Sequence, residues 1–274
     1  MSKIVVLHSE DLAQLNPLHS GFAHGFGIFE TVKLSAGRLC FWEAHCERFF
    51  RSVKAFDMPF NQDDDALLVA IRELVGEGGF QDGLIKMSLL CAADDTCCYV
   101  YARPAVRPAG KVKLYFSEDA PLNEKSLLAG HKTHNYMEAM HLLKTVRSSG
   151  FTDCIRVNTA GVLAETTVAN LFFICEETLH TPALSTGILP GVVRAEVLEA
   201  AKALSIQVEA GAYPIERLKT CRAAFLTNAS IGLQAVDAIE GKQFSLALET
   251  SHPIIDGLKK ALAEAEMRKS VTLI

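Results

Sequence analysis

The sequence predicts a mixed α+β fold in two domains. Hairpin patterns and strand–helix alternations occur in the same chain, which suits an α+β fold better than a doubly wound sheet. At 274 residues the chain can hold one large domain or two modest ones with an ample core. A polar stretch from Ser117 to Ala129, holding Pro121 and lacking clear periodicity, is the best candidate for a linker. The expected layout is a small domain over 1–117, a linker over 118–127 and a larger domain over 128–274.

The elements follow in order. Ile4 to Leu7 reads as a short strand, and Phe29 to Leu34 with Leu39 to Phe41 reads as a hairpin around Ser35-Ala36-Gly37-Arg38. Trp42, Cys46, Phe49, Val53 and Phe56 recur at helical spacing. A second helix spans Asp64 to Val75, with Asp63 or Asp64 as N-cap and Gly76 and Gly78-Gly79 to end it. Leu84 to Cys91, Thr96 to Ala102 and Val112 to Phe116 are strands, the first two joined by Ala92-Ala93-Asp94-Asp95. Then come helix Tyr136 to Arg147, closed by Gly150, and strands Cys154 to Asn158, Val162 to Glu165 and Asn170 to Ile174. Helix Val192 to Leu204, strand Ile206 to Glu209, helix Ile215 to Thr220, strand Ala223 to Thr227 and hairpin Leu233 to Phe244 precede a last helix from about Pro253 to Met267.

Composition narrows the class. A net charge of -5 without a basic run leaves no footprint for nucleic acid or an anionic membrane. Eight cysteines are scattered, and the adjacent pair Cys97-Cys98 has no C-x-x-C partner. No metal site is expected from that pattern; reduced cytoplasmic thiols are. The apolar run in Ile4-Val5-Val6-Leu7 is too short for a signal sequence, and no segment approaches the length of a membrane span. The Gly25-Phe26-Gly27 run precedes a strand and does not continue as a dinucleotide loop.

Chemistry concentrates in four places. Lys132, in His131-Lys132-Thr133-His134-Asn135, lies ahead of a helix with an apolar face. A lysine that condenses with an aldehyde must spend time neutral, which partial desolvation favours. Glu165 opens the run Glu165-Thr166-Thr167-Val168-Ala169-Asn170-Leu171-Phe172, whose next residues carry no charge and suit a buried setting. Leu189-Pro190-Gly191 turns into a helix whose first amides, at Val192 and Val193, form an anion site by geometry and dipole. Arg48 sits at the edge of the apolar stripe of its helix, whereas Arg51 falls on the far side; an arginine there can bury its stem and present its fork to phosphate. An amine for an aldehyde, an anion for a ring nitrogen and a cradle for a phosphate are what pyridoxal 5'-phosphate requires.

These blocks, with Gly25-Phe26-Gly27-Ile28-Phe29-Glu30-Thr31 and Phe225-Leu226-Thr227-Asn228, resemble the class IV (fold-type IV) pyridoxal-phosphate enzymes, D-amino-acid aminotransferase-like in fold. The resemblance covers nearly the whole chain. It implies that Lys132 carries the cofactor and acts in catalysis, that Glu165 faces the pyridine nitrogen and that Leu189 packs on the ring. By the same resemblance Arg48, Val192, Val193, Asn228 and Ala229 hold the phosphate, and Phe26 and Thr31 join the substrate site. His45-Cys46-Glu47-Arg48 fits the family's H-x-x-R. A cytoplasmic homodimer acting on a small-molecule amine is implied as well.

Within the family, Asn228-Ala229 leans toward the lyases that make 4-aminobenzoate from 4-amino-4-deoxychorismate, a folate-biosynthetic step. The alternatives are an aminotransferase for branched-chain or D-amino acids and a degenerate binding protein on the same fold. The chain departs from the family at Gly25-Phe26-Gly27, where Gly-Asp-Gly is usual. It also lacks the arginine-bearing loop after the Leu84 to Cys91 strand. Arg103, Arg107 and Arg156 are the candidates to replace that loop as an anchor for a substrate carboxylate, with Arg156 foremost because it interrupts an apolar strand.

Overall fold

The computed structural model describes residues 2–8, 19–92, 96–105, 110–242 and 244–273. The chain divides into two compact units, and the mixed α+β class holds in both. The first comprises Met1–Val106, His131–Asn135 and Glu266–Ile274; the second comprises Arg107–Gly130 and Tyr136–Ala265.

The first unit is built on six strands: β1 (Ser2–Val6), β2 (Gly27–Ser35), β3 (Arg38–Cys40), β4 (Gly83–Cys91), β5 (Thr96–Arg103) and β16 (Ser270–Thr272). They form one sheet in the order β1-β5-β4-β2-β3-β16. Only the β1–β5 pair is parallel. Ala36 and Gly37, both left-handed, make the two-residue turn between β2 and β3, as a tight hairpin requires. Along β2, Ile28, Val32 and Leu34 are buried with Trp42, Phe49 and Val53 of helix α2 (Trp42–Ala55) and Leu67, Ile71 and Leu74 of helix α3 (Asp64–Gly78). Strand alternation therefore turns Phe29, Thr31 and Lys33 to the opposite face. A short helix, α1 (Ser20–Ala23), precedes β2. Asp63 caps α3 by accepting from the Ala66 amide at 2.9 Å, and the helix runs through Gly76 and Gly78 before ending at left-handed Gly79.

The second unit holds two five-stranded sheets. One orders β15 (Phe244–Ala247), β14 (Ala238–Gly241), β6 (Lys113–Leu122), β7 (Asp153–Asn158) and β8 (Leu163–Thr166); the other orders β11 (Val208–Gly211), β10 (Thr178–Pro182), β9 (Asn170–Cys175), β12 (Ala223–Asn228) and β13 (Gly232–Ala235). Leu114, Phe116, Ile155 and Val157 from the first sheet share one core with Leu171, Phe173 and Leu226 from the second. Every residue of β7 and β9 is buried. Helices α4 (Met137–Ser148), α5 (Val192–Ala203) and α6 (Pro253–Arg268) complete the structure. No helix among the described residues is long and apolar enough to cross a membrane.

Four expectations are corrected. The segment 118–127 is not a bare linker: β6 continues through it to Leu122, and the whole stretch Arg107–Gly130 belongs to the second unit. Lys132 belongs to the first unit rather than the second, because its segment pairs with β2 as an added strand. The Phe29 amide donates to the Lys132 carbonyl at 2.8 Å, and the His134 amide to the Gly27 carbonyl at 2.9 Å. The hairpin expected over Leu233 to Phe244 is two structures: β13 returns on β12, and β14 pairs with β15. The helix expected over Ile215 to Thr220 is a 3-10 turn. Of the expected β4–β5 turn, 93–95 lie outside the described residues, as does Arg107.

Candidate active site

In the first unit the site is organised by β2. Gly27 begins the strand where the added segment comes close; a Cβ there would strike the Leu89 carbonyl and press on the His134 ring. This is why glycine is required at that position. The added segment sets Thr133 across from Ile28, and Asn135 clips its end by donating to the Gly25 carbonyl at 3.2 Å. Lys132 is half-buried, with its Nζ 4.5 Å from the Phe29 ring centroid. The flanking histidines are packing partners. His131 meets Ser52 at 2.8 Å and packs edge-on against Phe56. His134 tilts against Phe29 at 5.2 Å. Burial and the nearby Lys86 charge push the His134 ring down to about 4, so it is neutral at physiological pH.

Arg48 is where the helical wheel set it, at the buried edge of α2, and Arg51 is exposed. Its partner is Glu30, whose place among the core-facing residues of β2 turns it toward α2. Arg48 Nε donates to Glu30 Oε1 at 2.6 Å and Nη2 to Oε2 at 2.7 Å, a bidentate pair with Glu30 1% exposed. His45 adds a 2.9 Å contact from Nδ1 to Oε2. Burial drives Glu30 upward, but the Arg48 charge and the His45 hydrogen bond outweigh it and hold the carboxyl well below the usual range. Burial lowers His45, so the neutral ring serves as an Nδ1–H donor to Glu30. Thr31 is half-buried and accepts from Lys86 Nζ at 2.9 Å, while Phe26 is 47% exposed.

In the second unit Glu165 lies near the end of β8, half-buried, and two donors fix its orientation. Asn170 Nδ2 reaches Glu165 Oε2 at 3.0 Å, and the Leu189 amide reaches the same oxygen at 3.2 Å. Asn170 also donates to the Leu189 carbonyl at 2.9 Å. Gly191 fits beneath this arrangement because a Cβ would collide with Asn170 Oδ1. Gly191 is also the N-cap of α5, and no side chain caps the helix, whose first turn begins with Val192 and Val193. At the end of β12, Asn228 is locked by its own contacts. Its Nδ2 donates to the Val168 carbonyl at 3.1 Å, and its Oδ1 accepts from the Ser230 and Ile231 amides at 2.8 and 3.0 Å. Half-buried Ala229 follows, and neighbouring Thr227 buries a hydroxyl that has no hydrogen-bond partner among the described residues.

Arg156, the foremost candidate for a carboxylate anchor, is engaged within its own unit. Its Nε donates to the Ala120 carbonyl at 2.8 Å and its Nη2 pairs with Glu138, so the fork joins β7 to β6 and α4. Arg103 is exposed at the end of β5. Sequence reasoning passed over Glu30, His45 and Lys86 as site residues. The signal was there for Lys86, a lone charge within Leu84-Ile85-Lys86-Met87-Ser88-Leu89-Leu90, and for Glu30, an acid at a core-facing position of β2.

Each unit carries donors that suit pyridoxal phosphate. A lysine on an aromatic face, an oriented carboxylate, an uncapped helix start and an unpartnered buried hydroxyl are the groups that an aldehyde, a ring nitrogen and a phosphate would engage. Comparison with known proteins agrees. The chain is 26% identical to an aminodeoxychorismate lyase of Bacillus subtilis (strain 168) over 246 residues, 83% of this chain and 82% of that one. Its fold matches the T.th. branched-chain amino acid aminotransferase with pyridoxamine 5'-phosphate at a TM-score of 0.87 and 18% identity, covering 98% and 96% of the two chains. It matches the branched-chain aminotransferase of Thermoproteus uzoniensis with norvaline at a TM-score of 0.86 and 20% identity, covering 97% and 96%. The family model for amino-transferase class IV spans residues 27–239, and this chain therefore belongs to that family as a pyridoxal-phosphate-dependent enzyme of the fold-type IV architecture.

Proposed function

We propose that this enzyme is a 4-amino-4-deoxychorismate lyase that releases 4-aminobenzoate and pyruvate. The observation that carries the choice is Asn228-Ala229 at the end of β12. There the family's lyases favour asparagine with a small residue, and here the asparagine is fixed by three hydrogen bonds. The similarity to the Bacillus subtilis lyase supports the same choice. Bound pyridoxal phosphate supplies an electron sink for the carbon bearing the substrate amine. In this reading Lys132 removes the proton from that ring carbon and then protonates the departing enolpyruvate, acting as base and acid in turn. Glu165 holds a proton at the ring nitrogen, Leu189 packs against the ring, and Arg48 with the Val192 and Val193 amides binds phosphate. Phe26 and Thr31 line the substrate side. A cytoplasmic homodimer is part of the proposal, on the family pattern.

The second reading, an aminotransferase for branched-chain or D-amino acids, is favoured by the fold matches to branched-chain enzymes. Purified protein supplied with aminodeoxychorismate should give 4-aminobenzoate and pyruvate in equal amounts without any 2-oxo acid. Glutamate formed from 2-oxoglutarate and an amino-acid donor, with no aromatic product, would decide for the aminotransferase. Glu165→Gln tests the mechanism in either case. The amide keeps the contact to Leu189 but holds a ring proton poorly, so kcat should fall by about a hundredfold with KM little changed. Steady-state kinetics with unaltered turnover would remove Glu165 from the chemistry.

A further inference from the structure

The sheet face opposite α2 and α3 carries a second amine that the reading above leaves unused. Lys86 sits in the middle of β4, across from Thr31 on β2 and Tyr101 on β5. It is 9% exposed, its Nζ lies 3.7 Å from the centroid of the same Phe29 ring that Lys132 overlies, and its hydrogen bond goes to Thr31. Among the described residues no carboxylate is within ion-pair distance of it. Glu30, the acid whose charge reaches it, is on the other face and held by Arg48. A buried ammonium without a counter-charge is costly. With the Arg156 fork engaged by Glu138 and Ala120, the anchor for a substrate carboxylate is still to be assigned.

We propose that Lys86 is that anchor: a specificity-determining residue that binds a carboxylate of the substrate on the Phe29–Thr31 side of β2. The inference rests on the enzyme acting on a carboxylate-bearing amine, which both the lyase and the aminotransferase readings share. Thr31 orients the ammonium, and Phe29 shields it from water while balancing part of its charge through the ring face. Burial, with the Lys132 and Arg103 charges, lowers the Lys86 ammonium to about 7. At about pH 8 the free side chain is therefore largely neutral, and a bound carboxylate draws a proton onto it. Below about pH 6 the group is already charged and no uptake accompanies binding.

Benzoate, which has the carboxylate but no amine to react, is a suitable probe of the holoenzyme by calorimetry in buffers of different ionisation heat. Benzoate binding at about pH 8 should take up a substantial fraction of a proton, fading as the pH is lowered. Lys86→Met, close in size and neutral, should load cofactor with an unchanged absorption spectrum. It should bind benzoate about tenfold more weakly or worse, without the uptake, and raise KM more than it lowers kcat. Lys86→Arg should keep binding but lose the proton uptake, because arginine stays charged. Equal uptake and affinity in Lys86→Met, or no uptake in the wild type, would overturn the assignment. Uptake lost with the lysine in an enzyme that makes no 4-aminobenzoate would sink the lyase reading and leave Lys86 standing. Unchanged KM in a Lys86→Met variant that makes 4-aminobenzoate does the reverse.

Discussion

Lys132→Ala should give a folded, colourless protein without turnover. The wild type should absorb in the visible when loaded with pyridoxal phosphate, and borohydride should fix the cofactor on Lys132, read by peptide mass. The backbone at this position is held from both sides, by the Phe29 amide and by the His134–Gly27 and Asn135–Gly25 contacts. Truncating a half-buried side chain there leaves the added strand intact. What disappears is the amine above Phe29. The loss of proton transfer alone lowers turnover by about 10²–10⁴-fold, and loss of covalent attachment lowers it further. Lys86 overlies the same ring, so the variant also tests whether a second amine can substitute. Label on Lys86 in Lys132→Ala would show such a substitution, whereas borohydride fixing the wild-type cofactor on any residue other than Lys132 would show that Lys132 is not the attachment point.

The parts of this arrangement that were legible in the sequence are the local ones. Helix α2, its apolar stripe and the separation of Arg48 from Arg51 follow from 3.6-residue periodicity, and strands β4, β5 and β7 from short apolar runs. The cap at Asp63 and the start of α5 after Leu189-Pro190-Gly191 follow from terminal chemistry. Pairing across long separations was not legible. Nothing in His131-Lys132-Thr133-His134-Asn135 announces that it adds to β2, so proximity to α4 in sequence assigned it to the wrong unit. Strand β6 runs on through Glu118-Asp119-Ala120 because β7 pairs with it in parallel and shifts register between Ser117 and Leu122, which hides the alternation. The Arg156 fork was read from its own strand, whereas its partners come from β6 and α4. Glu30 stands at a core-facing position of β2, but its partner Arg48 lies eighteen residues on, in another element, so the pair is not written in either local pattern.

Arg48→Ala should be the most damaging substitution for stability, with Arg51→Ala close to neutral. Arg48 and Glu30 form a bidentate pair whose carboxylate is 1% exposed, and removing the arginine leaves the carboxylate buried with only the His45 ring and the Thr31 amide as donors. Breaking such a pair costs about 3–5 kcal/mol, a fall in Tm of roughly 6–20 °C, whereas an exposed helix residue costs about 0.5 kcal/mol or less. The pH dependence follows from the Glu30 carboxyl, which the wild type holds below its ordinary range. Its contribution is present in full above the unfolded value of about 4.3 and is lost as the pH falls through the folded one. Without Arg48 the burial that drives Glu30 upward has less to oppose it, so the midpoint of acid unfolding should move to higher pH. Stability alone does not separate a structural arginine from one that also binds phosphate. The double variant Glu30→Met/Arg48→Met does, since replacing both ions by apolar groups of similar size can restore stability. If Arg48 binds the phosphate, the double variant should regain most of its Tm yet hold pyridoxal phosphate about ten- to a hundredfold more weakly. Cofactor affinity equal to the wild type in that stable double variant would confine Arg48 to its ion pair with Glu30.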